Sequence, residues 1–145
     1  MMIMKRLTGT ILILLFTVFT GFSQNNTLET IKLPEKITQY VNLHFPDHTI
    51  VETEREIEGF QRIFEVELND GTELDFSKTG EPLKIETENT IPISAIPAPI
   101  LAYVNANFPQ QSIQEWELKK KKQKVELTNN TELTFDLDGN FLKQD

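Results

Sequence analysis

The chain contains one segment written twice, and that repeat constrains the fold more than any other feature. Leu33-Pro34 opens a stretch holding Ile37, Tyr40-Val41-Asn42, Phe45-Pro46 and Ile50. Ile96-Pro97 opens a second stretch holding Ile100, Tyr103-Val104-Asn105, Phe108-Pro109 and Ile113, each 63 positions later. Further on, Val66-Glu67-Leu68, Thr72-Glu73-Leu74, Phe76 and Gly80 recur as Val125-Glu126-Leu127, Thr131-Glu132-Leu133, Phe135 and Gly139, now 59 positions later. The second copy is therefore four residues shorter between Ile113 and Val125. A self-similar chain of this kind is a stack of one structural unit.

Each copy opens on a helix. Proline suits the first helical turn, where its missing N–H would have no partner. Ile37, Tyr40, Val41 and Phe45 form one stripe at helical spacing, as do Ile100, Tyr103, Val104 and Phe108. Pro46 and Pro109 stop the helices, because the residue before proline avoids the α region. The stripes read as core packing.

Strands follow. The first copy reads as Thr49 to Ile57, Phe60 to Leu68, Thr72 to Ser77 and Pro82 to Glu86. Phe64, Val66, Leu68, Leu74, Phe76, Leu83 and Ile85 are expected inward. Ile63, Glu65 and Glu67 lie on the opposite face by strand alternation. Asn69-Asp70-Gly71 is a hairpin turn, since these residues tolerate positive φ. The second copy reads as Ser112 to Leu118, Gln123 to Thr128, Thr131 to Asp136 and Asn140 to Lys143. Its missing residues fall at the first hairpin, a place where a chain is easily shortened. Thr87 to Ala95 shows no clear periodicity.

The expected fold class is α+β: a tandem repeat of a helix plus a four-stranded antiparallel meander. The two sheets join side by side, with both helices on one face and the other face open. The boundaries are 1–23 for a signal peptide, 24–32 for a lead-in, 33–88 for the first repeat, 89–95 for a linker and 96–145 for the second repeat. Lys5 and Arg6, the apolar run from Ile11 to Phe19 and the small residues Gly21 and Ser23 have the layout of a cleavable export signal. The alternative is an uncleaved N-terminal anchor. The apolar run is short for a membrane span, which needs about 20 residues. The mature chain is expected to lie in the periplasm or to be secreted, with no attachment to the membrane. The absence of cysteine removes a lipid-modified cysteine at the cleavage site as well as disulfides, thiol catalysis and thiolate metal sites.

The order of Leu-Pro, Tyr-Val, Phe-Pro, Val-Glu-Leu-Asn-Asp-Gly-Thr-Glu-Leu-Asp-Phe and a closing glycine resembles the PepSY-like, or beta-lactamase-inhibitor-like, domains of secreted Bacteroidetes proteins. The resemblance runs from Leu33 to Lys143. It departs from the pattern at Asn130, which stands where the turn glycine is usual. The resemblance implies a tandem helix-plus-sheet fold whose open face holds another protein. It brings no catalytic residues and no cofactor.

Charge supplies the candidate surface. The formal net charge is −8, which disfavours nucleic acid and anionic membrane as partners. Gln24 to Glu88 carries 15 acids against 6 bases, and Asn89 to Asp145 carries 7 against 6. Glu52, Glu54, Glu56, Ile63, Glu65 and Glu67 of the first copy share the open face by parity. Glu115, Glu117 and Lys119 do so in the second. These nine residues are the candidate partner-binding set. A protein partner is expected, chosen by charge. The plainer reading is that such charges keep a sheet soluble and its edges unpaired. The alternative function is a small-ligand or divalent-cation site on the acidic sheet of the first repeat.

No enzyme is expected. The paired carboxylates alternate on a regular sheet, with no desolvated pocket to raise one pKa. There is no nucleophile motif and no phosphate-cradling glycine loop. His44 and His48 are four apart, but Pro46 prevents one helix from presenting both, so no metal site is expected. Asp136 to Asn140 resembles the start of a calcium loop, but its glycine comes too early and no glutamate closes it.

Overall fold

The computed structural model describes residues 31–145; the expected export signal and most of the expected lead-in lie outside them. The first unit comprises α1 (Glu35–His44), β1 (Ile50–Glu58), β2 (Gln61–Leu68), β3 (Glu73–Ser77) and β4 (Pro82–Glu86). The second comprises α2 (Ala98–Asn107), β5 (Ile113–Leu118), β6 (Gln123–Leu127), β7 (Glu132–Phe135) and β8 (Phe141–Gln144). A short 3-10 turn, Ile93–Ala95, precedes α2. The strands form one eight-stranded sheet in sequence order, and every neighbouring pair is antiparallel.

The repeat is legible in the contacts. Pro34 and Pro97 occupy the N-caps, and the helices close with Phe45 N–H on Val41 O (2.8 Å) and Phe108 N–H on Val104 O (2.7 Å). Ile37 and Val41 are buried, as are Ile100 and Val104. Tyr40 meets Phe76 edge-on at 5.4 Å, and Tyr103 meets Phe135 in the same way at 5.4 Å. Burial there pushes the Tyr40 phenol up to about 12. Gly80 and Gly139 have φ of 87° and 86°, and each turn tucks under its own helix. A Cβ at Gly80 would come within 2.9 Å of Lys36 Cβ, and one at Gly139 within 2.8 Å of Pro99 Cβ. Both the backbone and the space therefore require glycine.

The two units share one core. A single cluster of buried side chains runs from Ile37 and Phe76 to Leu127 and Phe135. The junction is β4 on β5, where Ile85 pairs with Trp116, which pairs in turn with Val125. Trp116 Nε1 donates to Gln123 Oε1 (3.0 Å), and Gln123 Nε2 donates to the carbonyls of Asp136 and Leu137 (3.2 Å each). The Trp116 and Gln123 side chains are thus both satisfied.

Two expectations need correction, and the connection between the units carries contacts its sequence does not announce. Leu83 is not part of the core. β4 holds one extra residue, because Phe76 pairs with Pro82 while Asp75 pairs with Lys84. This bulge turns Leu83 away from the helices, and it lines an open cleft beside Asp75 and Lys84. The first hairpin turns at Gly59-Phe60, with Glu58 opposite Gln61, so β2 begins after Phe60. The connection after β4 is docked despite its lack of periodicity. Thr87 N–H and Ile91 N–H donate to the carbonyls of Gln114 and Ile113 (3.0 Å each), and Ile91 is buried.

Candidate partner-binding face

The helices leave one face of the sheet uncovered, and strand register decides what lies on it. Residues directly opposite each other in an antiparallel pair share a face. The pairs Glu52–Glu67, Glu67–Glu73, Glu73–Glu86, Glu86–Glu115, Glu115–Glu126 and Glu126–Glu132 therefore form one continuous row. Asp145 extends it, exchanging backbone hydrogen bonds with Glu132 (2.9 and 3.3 Å). Every strand contributes a carboxylate to this line or, in β8, is followed by one.

The next row differs between the units. It runs Glu54, Glu65, Asp75, Lys84, Glu117, Lys124, Thr134, Lys143. Its lysines reach back to carboxylates. Lys84 contacts Glu86 and lies 4.0 Å from Glu115; Lys124 sits 2.7 Å from Glu132; Lys143 contacts Asp145. Lys119, in the turn after β5, contacts Glu117. Among the described residues, Glu52, Glu54, Glu56, Glu65, Glu67 and Glu73 have no such ion pair. The first unit's basic Arg55 instead lies over the Phe64 ring at 5.5 Å, on the helix face.

This imbalance appears in the titration of the face. Burial, then the charges of Asp75, Glu56, Glu73 and Glu54, raise the Glu65 pKa. Burial raises Asp75 even though Lys84 opposes it. Glu115 is also raised by burial against Lys84. Burial works to lower Lys84, but Glu86, Glu115 and Asp75 outweigh it and hold its pKa up. The hydrogen bond from Lys124 to Glu132 is the main cause of the raised Lys124 pKa.

Eight of the nine candidate residues stand on the open face, and Lys119 follows β5 in its turn and contacts Glu117. Glu52, Glu54, Glu56, Glu65, Glu67, Glu115 and Glu117 all stand on the open face by register. Ile63 stands there too, opposite Glu56 and Ser77, but only 5% of it is exposed and it lies outside the main core. Strand parity also puts Glu73 and Asp75 on this face, as the register does, but sequence reasoning missed Glu86, Glu126, Glu132 and Asp145 as members of the same row. It also missed a cleft of about 700 Å³ between the β1–β2 tip and the β5–β6 turn, lined in part by Phe60, Leu83, Asp75, Lys84 and Leu137. Strand alternation could have found the carboxylates one strand at a time; their alignment depends on pairing.

Other clusters stay apart. His44 Nδ1 lies 2.9 Å from Ser94 Oγ, whereas His48 Nε2 lies 3.1 Å from Asp70. His44 has no carboxylate partner among the described residues, so the Ser94–His44 contact lacks the acid that orients a catalytic histidine. Asp136 caps its own turn, accepting from Asp138 N–H (2.9 Å) and Asn140 N–H (2.8 Å). Among the described residues no three His, Asp or Glu side chains converge so as to hold a metal ion. No described helix is long and apolar enough to cross a membrane.

A family described as "Putative beta-lactamase-inhibitor-like, PepSY-like" matches residues 22–81 and 62–143. The chain belongs to this PepSY-like family. A "putative calcium-regulated periplasmic protein" from Bacteroides thetaiotaomicron is similar in structure, with 30% identity over 79% of this chain and 91% of that one and a TM-score of 0.75. A "putative periplasmic protein of unknown function" from Bacteroides vulgatus shares 31% identity over 79% and 92% of the two chains, also at a TM-score of 0.75. A second B. vulgatus periplasmic protein matches at 27% identity over 78% and 90%, with a TM-score of 0.73. No curated protein matches the chain significantly. The PepSY-like expectation and the tandem α+β fold both hold.

Proposed function

We propose that this PepSY-like chain is a non-catalytic periplasmic or secreted binding protein whose open sheet face takes up a cationic protein and can inhibit it. The observation that carries this reading is the carboxylate row, which β1 to β3 leave without neutralising cations. Complementary charge speeds encounter and selects partners. Site-specific photocrosslinking in the native envelope tests the reading. Probes at Glu54 and Glu67 should trap one saturable partner, and Glu65→Lys should abolish the adduct. A probe at Leu43, exposed on α1, should not trap it. Equal adducts from both faces would sink the proposal.

A second reading places divalent cations on the same carboxylates. It is favoured by the calcium regulation named for the B. thetaiotaomicron relative. Calorimetric titration with calcium, compared with magnesium and with sodium at equal ionic strength, decides it. A calcium-specific heat supports it; identical thermal shifts for all three salts reduce it to screening.

A further inference from the structure

We infer that the outer edge of β1 is a docking site for an added antiparallel strand from the cationic partner, seated in the register that β4 takes on β5. The inference rests on the proposed binding of a cationic protein, because the strand's cations would lie beside Glu52 and Glu54 on the acidic face.

The repeat supplies the template. β1 and β5 are the same element: Ile50, Glu52 and Glu54 recur as Ile113, Glu115 and Glu117. Both carry the same register shift at their start, between Ile50 and Glu52 and between Ile113 and Glu115. β5 is covered on its outer edge by β4, with Lys84 opposite Glu117, Ile85 opposite Trp116 and Glu86 opposite Glu115. β1 is the first strand of the sheet and has no neighbour on that edge among the described residues. Its unpaired N–H and C=O groups are a template for another strand.

The β4–β5 junction also states what such a strand needs. A cation stands opposite Glu117, and Lys84 is also 4.0 Å from Glu115. An apolar residue meets Trp116 on the helix face. On β1 the corresponding acids, Glu54 and Glu52, have no cation among the described residues. Thr53 replaces the tryptophan and leaves room for a bulkier incoming side chain. Ile57, 74% exposed, stands on the same face of β1 beyond Arg55. The fitting strand therefore alternates cationic and apolar residues, with a cation opposite Glu54 and an aliphatic residue opposite Thr53.

A second copy of the chain fits less well. β8 matches β4 and offers Lys143 for Lys84, but it places Gln144 where Ile85 stands. Polar Gln144 against Thr53 would reproduce the charges of the junction without its apolar plug.

The test uses an eight-residue peptide alternating lysine and isoleucine, and the same peptide N-methylated at alternate residues so that one edge cannot hydrogen-bond. The parent peptide should bind the chain and slow amide exchange in β1. Binding should fall at least tenfold on N-methylation of the pairing edge and with Glu54→Lys. Equal binding by parent and every N-methylated peptide would overturn strand addition while leaving the charged face as a binding surface. Binding by neither peptide, even at low salt, would remove both. Concentration-dependent association of the chain alone, lost with Lys143→Glu, would assign the edge to a second copy and overturn the inference.

Discussion

In the first repeat Thr53 and Phe64 occupy the places that Trp116 and Gln123 hold in the second. β1 and β2 lie at the edge of the sheet, where a large inward residue on the outermost strand would face solvent. There the aromatic sits on the inner strand, with Arg55 over it. β5 lies in the middle, between β4 and β6, so its inward position is sealed on both sides and takes tryptophan. At the far edge β8 exposes Gln144 in the place of Ile85, while its inward Phe141 stacks on Tyr103 of α2. At the β4–β5 junction and its two edge counterparts, position in the array decides which inward sites are apolar, as in other arrays whose terminal units cap the stack. Charge shows the same contrast. Carboxylates line both halves, but lysines answer them mainly from β4 onward.

The comparison breaks most visibly if the halves are independent. Phe76→Ala and Phe135→Ala should each cost about 3–5 kcal/mol. Each should lower one common denaturation midpoint, read by both circular dichroism and Trp116 fluorescence. Non-coincident transitions would mean two cores. Trp116→Phe should cost about 1–3 kcal/mol, because it leaves the buried Gln123 oxygen without its donor. Phe64→Leu, half-buried at the edge, should cost less in the same urea titration.

pH sharpens the electrostatic half of the comparison. Glu65, Asp75 and Glu115 have raised pKa values in the folded chain. Such groups stabilise the fold below their ordinary pKa, and that contribution is lost as pH rises through the folded value. The melting temperature should therefore climb by a few degrees as pH is lowered from neutral toward the ordinary carboxylate range of about 4. Burial opposes the shift of Asp70, but hydrogen bonds from Thr72 and the His48 charge lower its pKa overall. Its contribution disappears at still lower pH, which bends the curve back down. Asp75→Asn should raise the melting temperature at neutral pH and flatten the profile, whereas Glu132→Gln, which loses Lys124, should not. A flat profile for the unaltered chain would contradict the repulsion.

The smallest effect concerns the matching turns. Gly71 has φ of 81° with nothing within 4 Å of an added Cβ, and Asn130 adopts φ of 65° at the equivalent place. Gly71→Asn should cost less than about 1 kcal/mol in thermal melting. A larger loss would show that the two turns differ in more than their residue.

The helices, the meanders and the face of each glutamate can be read from the chain, because helical and strand periodicity are local properties. The matching of cores and turns across the repeat, including Asn130 for glycine, is equally local. Other features depended on pairing between distant segments. That β4 joins β5 made two meanders into one sheet and aligned carboxylates from strands far apart in sequence. A bulge of one residue reversed the side on which Leu83 lies, since alternation has a period of two and a single insertion inverts it. Backbone bonds to Gln114 and Ile113 docked the connection after β4 although its side chains carry no period. The carboxylate row and the open β1 edge belong to this second group: each exists because nonlocal register places neighbours beside some strands and, among the described residues, leaves another without one.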